Sequence, residues 1–212
     1  MEPKKLIIFD VDGTLFRTET VDVEAFNKAL INNGYPPKSR EEILNLIGLT
    51  LEEIAVSFLN TQEEELLEKF KQDVIAYEEE AIITSGELYS GAEELLKNLK
   101  DKGFTLCICS NGNKEYITTI ADKYDFNSLF DEIWYARKGI TKVEAVKRII
   151  DKFGVHKFVM VGDRLCDIEA AQENQGIAIG AAYGFGGSEM DKADYVAKTV
   201  GEVESIIDKL YE

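Results

Sequence analysis

"KKLIIFDVDGTLF", Lys4–Phe16, decides the reading of this chain. Its apolar run, Leu6 to Phe9, stops abruptly at Asp10 and Asp12, with glycine and threonine directly behind them. A short continuous apolar run bounded by turn residues suits a strand buried on both faces. In extended chain, side chains two residues apart point the same way, so Asp10 and Asp12 face one cleft. An aspartate at a strand end can be a turn former and nothing more. The "DVDGT" spacing is not that of an EF-hand loop, whose glycine comes at the sixth position after further oxygen ligands.

The same pattern recurs outward from this stretch. "FTLCIC" from Phe104, "EIWYA" from Glu132, "FVMVG" from Phe158 and "IAIGAA" from Ile177 are short apolar runs, and "GAEELLKNLKDKG" and "KVEAVKRIIDKFG" between them have helical periodicity. Strands alternating with helices predict an α/β fold, a mostly parallel sheet with helices on both faces. "DYVAK" near Asp194 adds a short edge strand, and a last helix starts near Gly201. The alternation is interrupted over residues 16–85, which hold no convincing strand and read as four helices broken at "NNGYPPKS" and Gly48. The expected division is an α/β core of residues 1–15 and 86–212 with an inserted all-helical domain of residues 16–85. In "TQEEELLEKFKQDVIAYEEE", Leu66, Leu67, Phe70, Val74 and Tyr77 recur at helical spacing, so the charges read as a solvated face.

Composition excludes several classes. At 212 residues, 45% hydrophobic, the chain can bury one large core and a smaller second one. A formal net charge of −16 argues against nucleic-acid binding, which needs lysine and arginine against phosphates. No apolar segment is long enough for a membrane span and no signal-peptide pattern opens the chain, so a cytoplasmic location with no membrane partner is expected. Cys107, Cys109 and Cys166 form neither a disulfide framework nor a zinc spacing and read as buried, inert thiols. His156, the lone histidine, falls in a helix-to-strand link as a surface or packing residue.

The polar residues that carry chemistry all follow strands, where open parallel sheets bind ligands. Asp10 and Asp12 follow the first, Ser110, Asn111 and Gly112 the second, and Asp163 and Asp167 the fourth; Lys142 opens the helix before that fourth strand. Taken singly, Ser110 and Asn111 could be helix caps. Gathered at one edge, the carboxylates would repel one another unless a cation neutralises them. In this order, "FDVDGTL", "SNG", the helix-opening lysine and "VGDRLCDIEAA" resemble the four motifs of the haloacid dehalogenase superfamily. The helical insertion is similar to the cap of its phosphoglycolate phosphatase-like branch. The resemblance covers essentially the whole chain.

That resemblance implies a magnesium-dependent phosphatase of small phosphomonoesters, phosphoglycolate among them, acting on a small phosphorylated metabolite as a monomer or weak homodimer. Asp10 would be the nucleophile that becomes an aspartyl-phosphate, and Asp12 the general acid and then base. Asp10, Asp12, Asp163 and Asp167 would hold Mg2+, Asp12 through its carbonyl and Asp167 through water or at one remove. Ser110, Lys142 and the amides of Asn111 and Gly112 would bind the phosphoryl oxygens. Gly13 would permit the turn, and the Thr14 hydroxyl would hold it. The family's "KPxP" is missing here, which leaves Lys138 as a rival to Lys142. Thr141 and Glu144 form a capping box that favours Lys142. Three rivals remain. A β-phosphoglucomutase-like mutase is disfavoured because Leu51 stands where a cap arginine is expected. A pyrophosphatase of the superfamily and a phospho-accepting signalling module are the other two, while a plain magnesium-binding protein without catalysis is the weakest option because it leaves "SNG" and the lysine without a role. Arg17, at the hinge into the cap, reads either as a solvated linker arginine or as the reader of a second anionic group on the substrate.

Overall fold

The computed structural model describes residues 5–212; residues 1–4, assigned to the core from sequence, lie outside the described residues. β1 (Leu6–Phe9), β2 (Thr105–Cys109), β3 (Glu132–Trp134), β4 (Phe158–Gly162), β5 (Ile177–Ala181) and β6 (Tyr195–Ala197) form one parallel sheet in the order β3-β2-β1-β4-β5-β6. Between β1 and β2 run α1 (Asp22–Asn32), α2 (Arg40–Leu44), α3 (Leu51–Leu59), α4 (Glu64–Ser85) and α5 (Ala92–Asp101). Then α6 (Lys114–Lys123) and α7 (Phe126–Leu129) lead to β3, α8 (Lys142–Phe153) to β4, α9 (Leu165–Glu173) to β5, and α10 (Val200–Tyr211) closes the chain. Each apolar run singled out from sequence is a strand, and the short edge strand is present.

β1 sits inside the sheet and its four side chains are fully buried. Burying side chains of this size contributes roughly 1.5–3 kcal/mol each. Because extended chain alternates faces, Ile7 and Phe9 enter one hydrophobic cluster with Leu96, Ile120 and Val203 of α5, α6 and α10. Leu6 and Ile8 enter another with Val146 of α8 and Ile168 of α9. Covered on both faces, the sheet opens only at its ends. The first, second and fourth strands therefore deliver Asp10, Ser110 and Asp163 to one edge.

The helices α1 to α4 build a third cluster of their own from Phe26, Leu30, Ile43, Ala55, Phe70 and Val74. Outgoing and returning chains are joined at their base, where Arg17 N–H donates to Glu87 O (2.8 Å) and Tyr89 N–H to Leu15 O (2.9 Å). α4 belongs to both bodies: Leu67, Phe70 and Val74 pack in the helical cluster, whereas Ile82 packs against the sheet. One step of this buried stripe is not apolar. Glu78 follows Val74 and precedes Ile82 at four-residue spacing, and it is 4% exposed. The reading of the "YEEE" charges as a solvated face is corrected at this position, while Leu66, counted there as apolar stripe, is exposed.

Candidate active site

Asp10 is fixed at the end of β1, its N–H donating to Val161 O of β4 (2.8 Å). The chain then doubles back: the N–H groups of Thr14, Leu15 and Phe16 all donate to Val11 O at 3.2, 2.9 and 2.8 Å. Backbone groups hold this turn. The Thr14 hydroxyl expected to do so is buried without a partner. Gly13, at φ +68°, is required on two counts, since a Cβ there would also lie 2.2 Å from Asp163 Oδ2. Gly184 approaches Asp163 from the other side, where a Cβ would come within 2.4 Å of Gly13 O.

Lys142 and not Lys138 reaches the site. The Thr141–Glu144 capping box starts α8 and places Lys142 in its first turn, with Nζ 2.7 Å from Asp10 Oδ1 and 2.5 Å from Asp167 Oδ1. Lys138 is exposed. The other oxygen of Asp167 accepts the Arg164 N–H (2.9 Å), so this carboxylate both starts α9 and holds the lysine. Asp163 Oδ2 accepts the Phe185 N–H (2.6 Å), and its Oδ1 is buried with no partner.

Asp10, Asp163 and Asp167 offer carboxylate oxygens within 4.8 Å of one another. Burial pushes Asp10 up to about 8, with Lys142 opposing and Asp167 and Asp12 reinforcing the shift. Burial also holds Asp163 well above the usual range, and Asp10 and Asp167 add to it. Burial pulls the Lys142 ammonium down, but Asp10 and Asp167 outweigh it and hold the group well above its ordinary value. One lysine does not balance three buried carboxylates. The orphaned Asp163 oxygen and the hard oxygen donors fit a small divalent cation such as Mg2+.

Asp12 is held differently. Its Oδ1 accepts from Thr18 Oγ1 (2.7 Å) and Tyr116 OH (2.6 Å), which fixes the carboxyl beside Asp10. Burial raises its pKa against the pull of those two bonds. After β2, Ser110 Oγ accepts the Gly112 N–H (3.0 Å), so the amide expected to cradle phosphate is already engaged within the loop. The Asn111 side chain donates to Gly48 O in the helical segment (2.8 Å), and the cap of α6 is Asn113.

A pocket opens above these groups, lined by Asp10, Asp12, Ser110 and Lys142 from the sheet edge and by Phe26, Ile54, Asp22 and Glu78 from the helices. Arg17 does not line it. Its guanidinium pairs with Glu19 (3.0 Å) and Glu87 (2.5 Å), so the expectation that it reads a second anion is corrected. Arg164 lines the pocket instead, its guanidinium donating, among the described residues, to the backbone carbonyls of Phe185 (3.4 Å) and Asn45 (3.3 Å). Cys107 and Cys109 are buried as expected, whereas Cys166 is partly exposed and lines the pocket, its thiol pushed up to about 12 by burial. His156 is exposed in the link between α8 and β4.

Sequence reasoning missed Tyr116, Thr18, Asp22, Glu78, Arg164 and the loop around Phe185. A usable signal exists for two of them. The "GFGG" at Gly184–Gly187 marks a close backbone approach, and the stripe of α4 runs through Glu78.

Residues 7–181 match the haloacid dehalogenase-like hydrolase family. A phosphoglycolate phosphatase from Mannheimia succiniciproducens is 29% identical over 202 residues, covering 85% of this chain and 87% of that protein. The pyrophosphatase PpaX of Bacillus pumilus is 24% identical over 213 residues, covering 95% of each. Among solved structures, a predicted phosphoglycolate phosphatase from Haemophilus somnus superposes with TM-score 0.86 at 23% identity, over 97% of this chain and 99% of that one. With the carboxylates at the strand ends, the buried lysine and a family match across most of its length, this chain belongs to the haloacid dehalogenase-like hydrolases.

Proposed function

We propose that this hydrolase is a magnesium-dependent phosphatase that cleaves small phosphomonoesters through an aspartyl-phosphate on Asp10, with residues 16–85 acting as its cap. The observation that carries this reading is the Lys142 ammonium set between Asp10 and Asp167 beside a carboxylate oxygen, Asp163 Oδ1, left without a partner. A carboxylate needs no base to become a nucleophile. Asp10 attacks phosphorus, the bond to the leaving oxygen breaks, and Asp12 gives its proton to that oxygen. Water then attacks the phosphorus, Asp12 takes the water proton, and the bond to Asp10 breaks. The bonds from Thr18 and Tyr116 leave the second oxygen of Asp12 for this proton traffic.

Asp10 and Asp163, with the Asp12 carbonyl and with Asp167 at one remove, would hold magnesium, which would supply charge neutralisation for the attack of one anion on another. Lys142 and Ser110 face the transferring oxygens. Phosphoglycolate is the substrate that the names of several relatives suggest. Arg164, in the pocket and in no ion pair with a carboxylate among the described residues, is the cation available for its carboxylate. The test is phosphate release from an aryl phosphate and from phosphoglycolate, with magnesium and with excess chelator. Release that depends on magnesium is expected, and undiminished release in chelator would overturn the metal assignment.

A further inference from the structure

Asp22 and Glu78 are unexplained by phosphoglycolate. Both lie where apolar residues are expected. Asp22 opens α1 four residues before buried Phe26, and Glu78 interrupts the buried stripe of α4 between Val74 and Ile82. They are 5% and 4% exposed, both line the pocket, and Asp22 Oδ1 and Glu78 Oε2 have no hydrogen-bond partner. Neither forms an ion pair with a lysine or arginine among the described residues, and the charges that act on Asp22 are those of Glu78 and Asp12. Leaving buried carboxyl oxygens unmatched is costly, by about 1–3 kcal/mol each and more when charged. Asp10, which lines the same pocket, and Asp167 behind it avoid that cost through Lys142. No such cation is built in for this second pair.

We propose that Asp22 and Glu78 form a receptor for a protonated amine on the leaving group, so that the preferred substrates are phosphomonoesters of small amino alcohols. An ammonium carries several donors on one centre and the charge that the pair lacks. A hydroxyl in its place would satisfy an oxygen but leave the mutual repulsion of Asp22, Glu78 and Asp12. A carboxylate would add to it. The apolar neighbours Phe26 and Ile54 keep water from the pair and strengthen the contact. This assignment rests on the phosphatase reading and puts amino-alcohol esters in place of phosphoglycolate, which the relatives' names suggest, as the preferred substrates.

The experiment measures calorimetric affinity, with magnesium present, of Asp10→Asn protein for 2-aminoethyl phosphate, 2-hydroxyethyl phosphate and phosphoglycolate. The amine is expected to bind about tenfold or more tighter than the hydroxyl compound, as befits a charge-assisted contact, and phosphoglycolate weakest. In Asp10→Asn/Asp22→Asn/Glu78→Gln protein the amine-to-hydroxyl ratio should fall to about one; because it is a ratio on one preparation, a partly unfolded fraction cancels. Equal or weaker binding of the amine, tightest binding of phosphoglycolate, or a preference that survives in the triple variant would each overturn the proposal. Failure of the phosphatase reading is separate, since it shows as wild-type protein that releases no phosphate from an aryl phosphate.

Discussion

The carboxylates around Lys142 and those of the helical segment are buried to the same degree but balanced differently. Asp10 and Asp167 pair with a lysine that comes from the same core, with the Asp163 carboxylate close to both, and every substrate of the enzyme would meet that arrangement. Asp22 and Glu78 form no ion pair with a cation among the described residues. On the proposed reading, the contrast separates the part of the site that would handle phosphoryl transfer from the part that would face the rest of the ligand. On the proposed reading, the chain supplies a lysine and a metal ion would supply the remaining charge where phosphoryl transfer occurs, and the charges that discriminate are left for the substrate to complete.

The sharpest way to break this division is to remove the reacting group. Asp10→Asn, close to isosteric, should lower kcat for an aryl phosphate by roughly 10^4–10^6-fold, as removal of a nucleophile does elsewhere. A rate within about tenfold of the parent would end the assignment of Asp10. Next comes Lys142→Met, which leaves Asp10 and Asp167 buried without their cation. It should destabilise the fold by roughly 3–5 kcal/mol, read as a large drop in Tm, whereas Glu78→Gln should leave Tm unchanged or raise it. Equal losses from the two variants would show that the pairs are not balanced differently at all.

A third, smaller effect concerns pH. Asp10 sits above its ordinary value of 3.8, at about 8, so the folded metal-free protein keeps a proton that the unfolded chain has released. The contribution of such a group is intact below the ordinary value and is lost as pH rises toward the folded one. Metal binding displaces the proton and becomes easier over the same window. The rise in Tm on adding magnesium should therefore be larger at pH 8 than at pH 5, by differential scanning fluorimetry, and an equal rise would place the metal away from Asp10.

The smallest predicted effects compare two helix starts. Thr141 and Ser39 both head capping boxes, on α8 and α2. Thr141→Ala and Ser39→Ala should each cost about 0.5–2 kcal/mol by denaturant titration. Only Thr141→Ala should also lower kcat, because the turn it starts carries Lys142. A matching loss of kcat in Ser39→Ala would mean that the caps act through global stability alone.

What the sequence determines by itself is whatever nearest neighbours along the chain enforce. Apolar runs between turn residues mark the strands, two-residue spacing puts Asp10 and Asp12 on one cleft, and the Thr141–Glu144 box selects Lys142 over exposed Lys138. Each depends on geometry repeated within a few residues. The tertiary structure alone decides the rest, because it depends on which distant surfaces meet. Tyr116 reaches Asp12 across 104 positions of sequence, and Phe185 reaches Asp163 across 22. Arg17, promising at the hinge, is drawn away by Glu19 and Glu87, the second brought beside it only when the chain returns from the helices. Glu78 looks like one more solvated charge until α4 is seen to pack on both bodies, with its middle turn at the seam where they enclose the pocket.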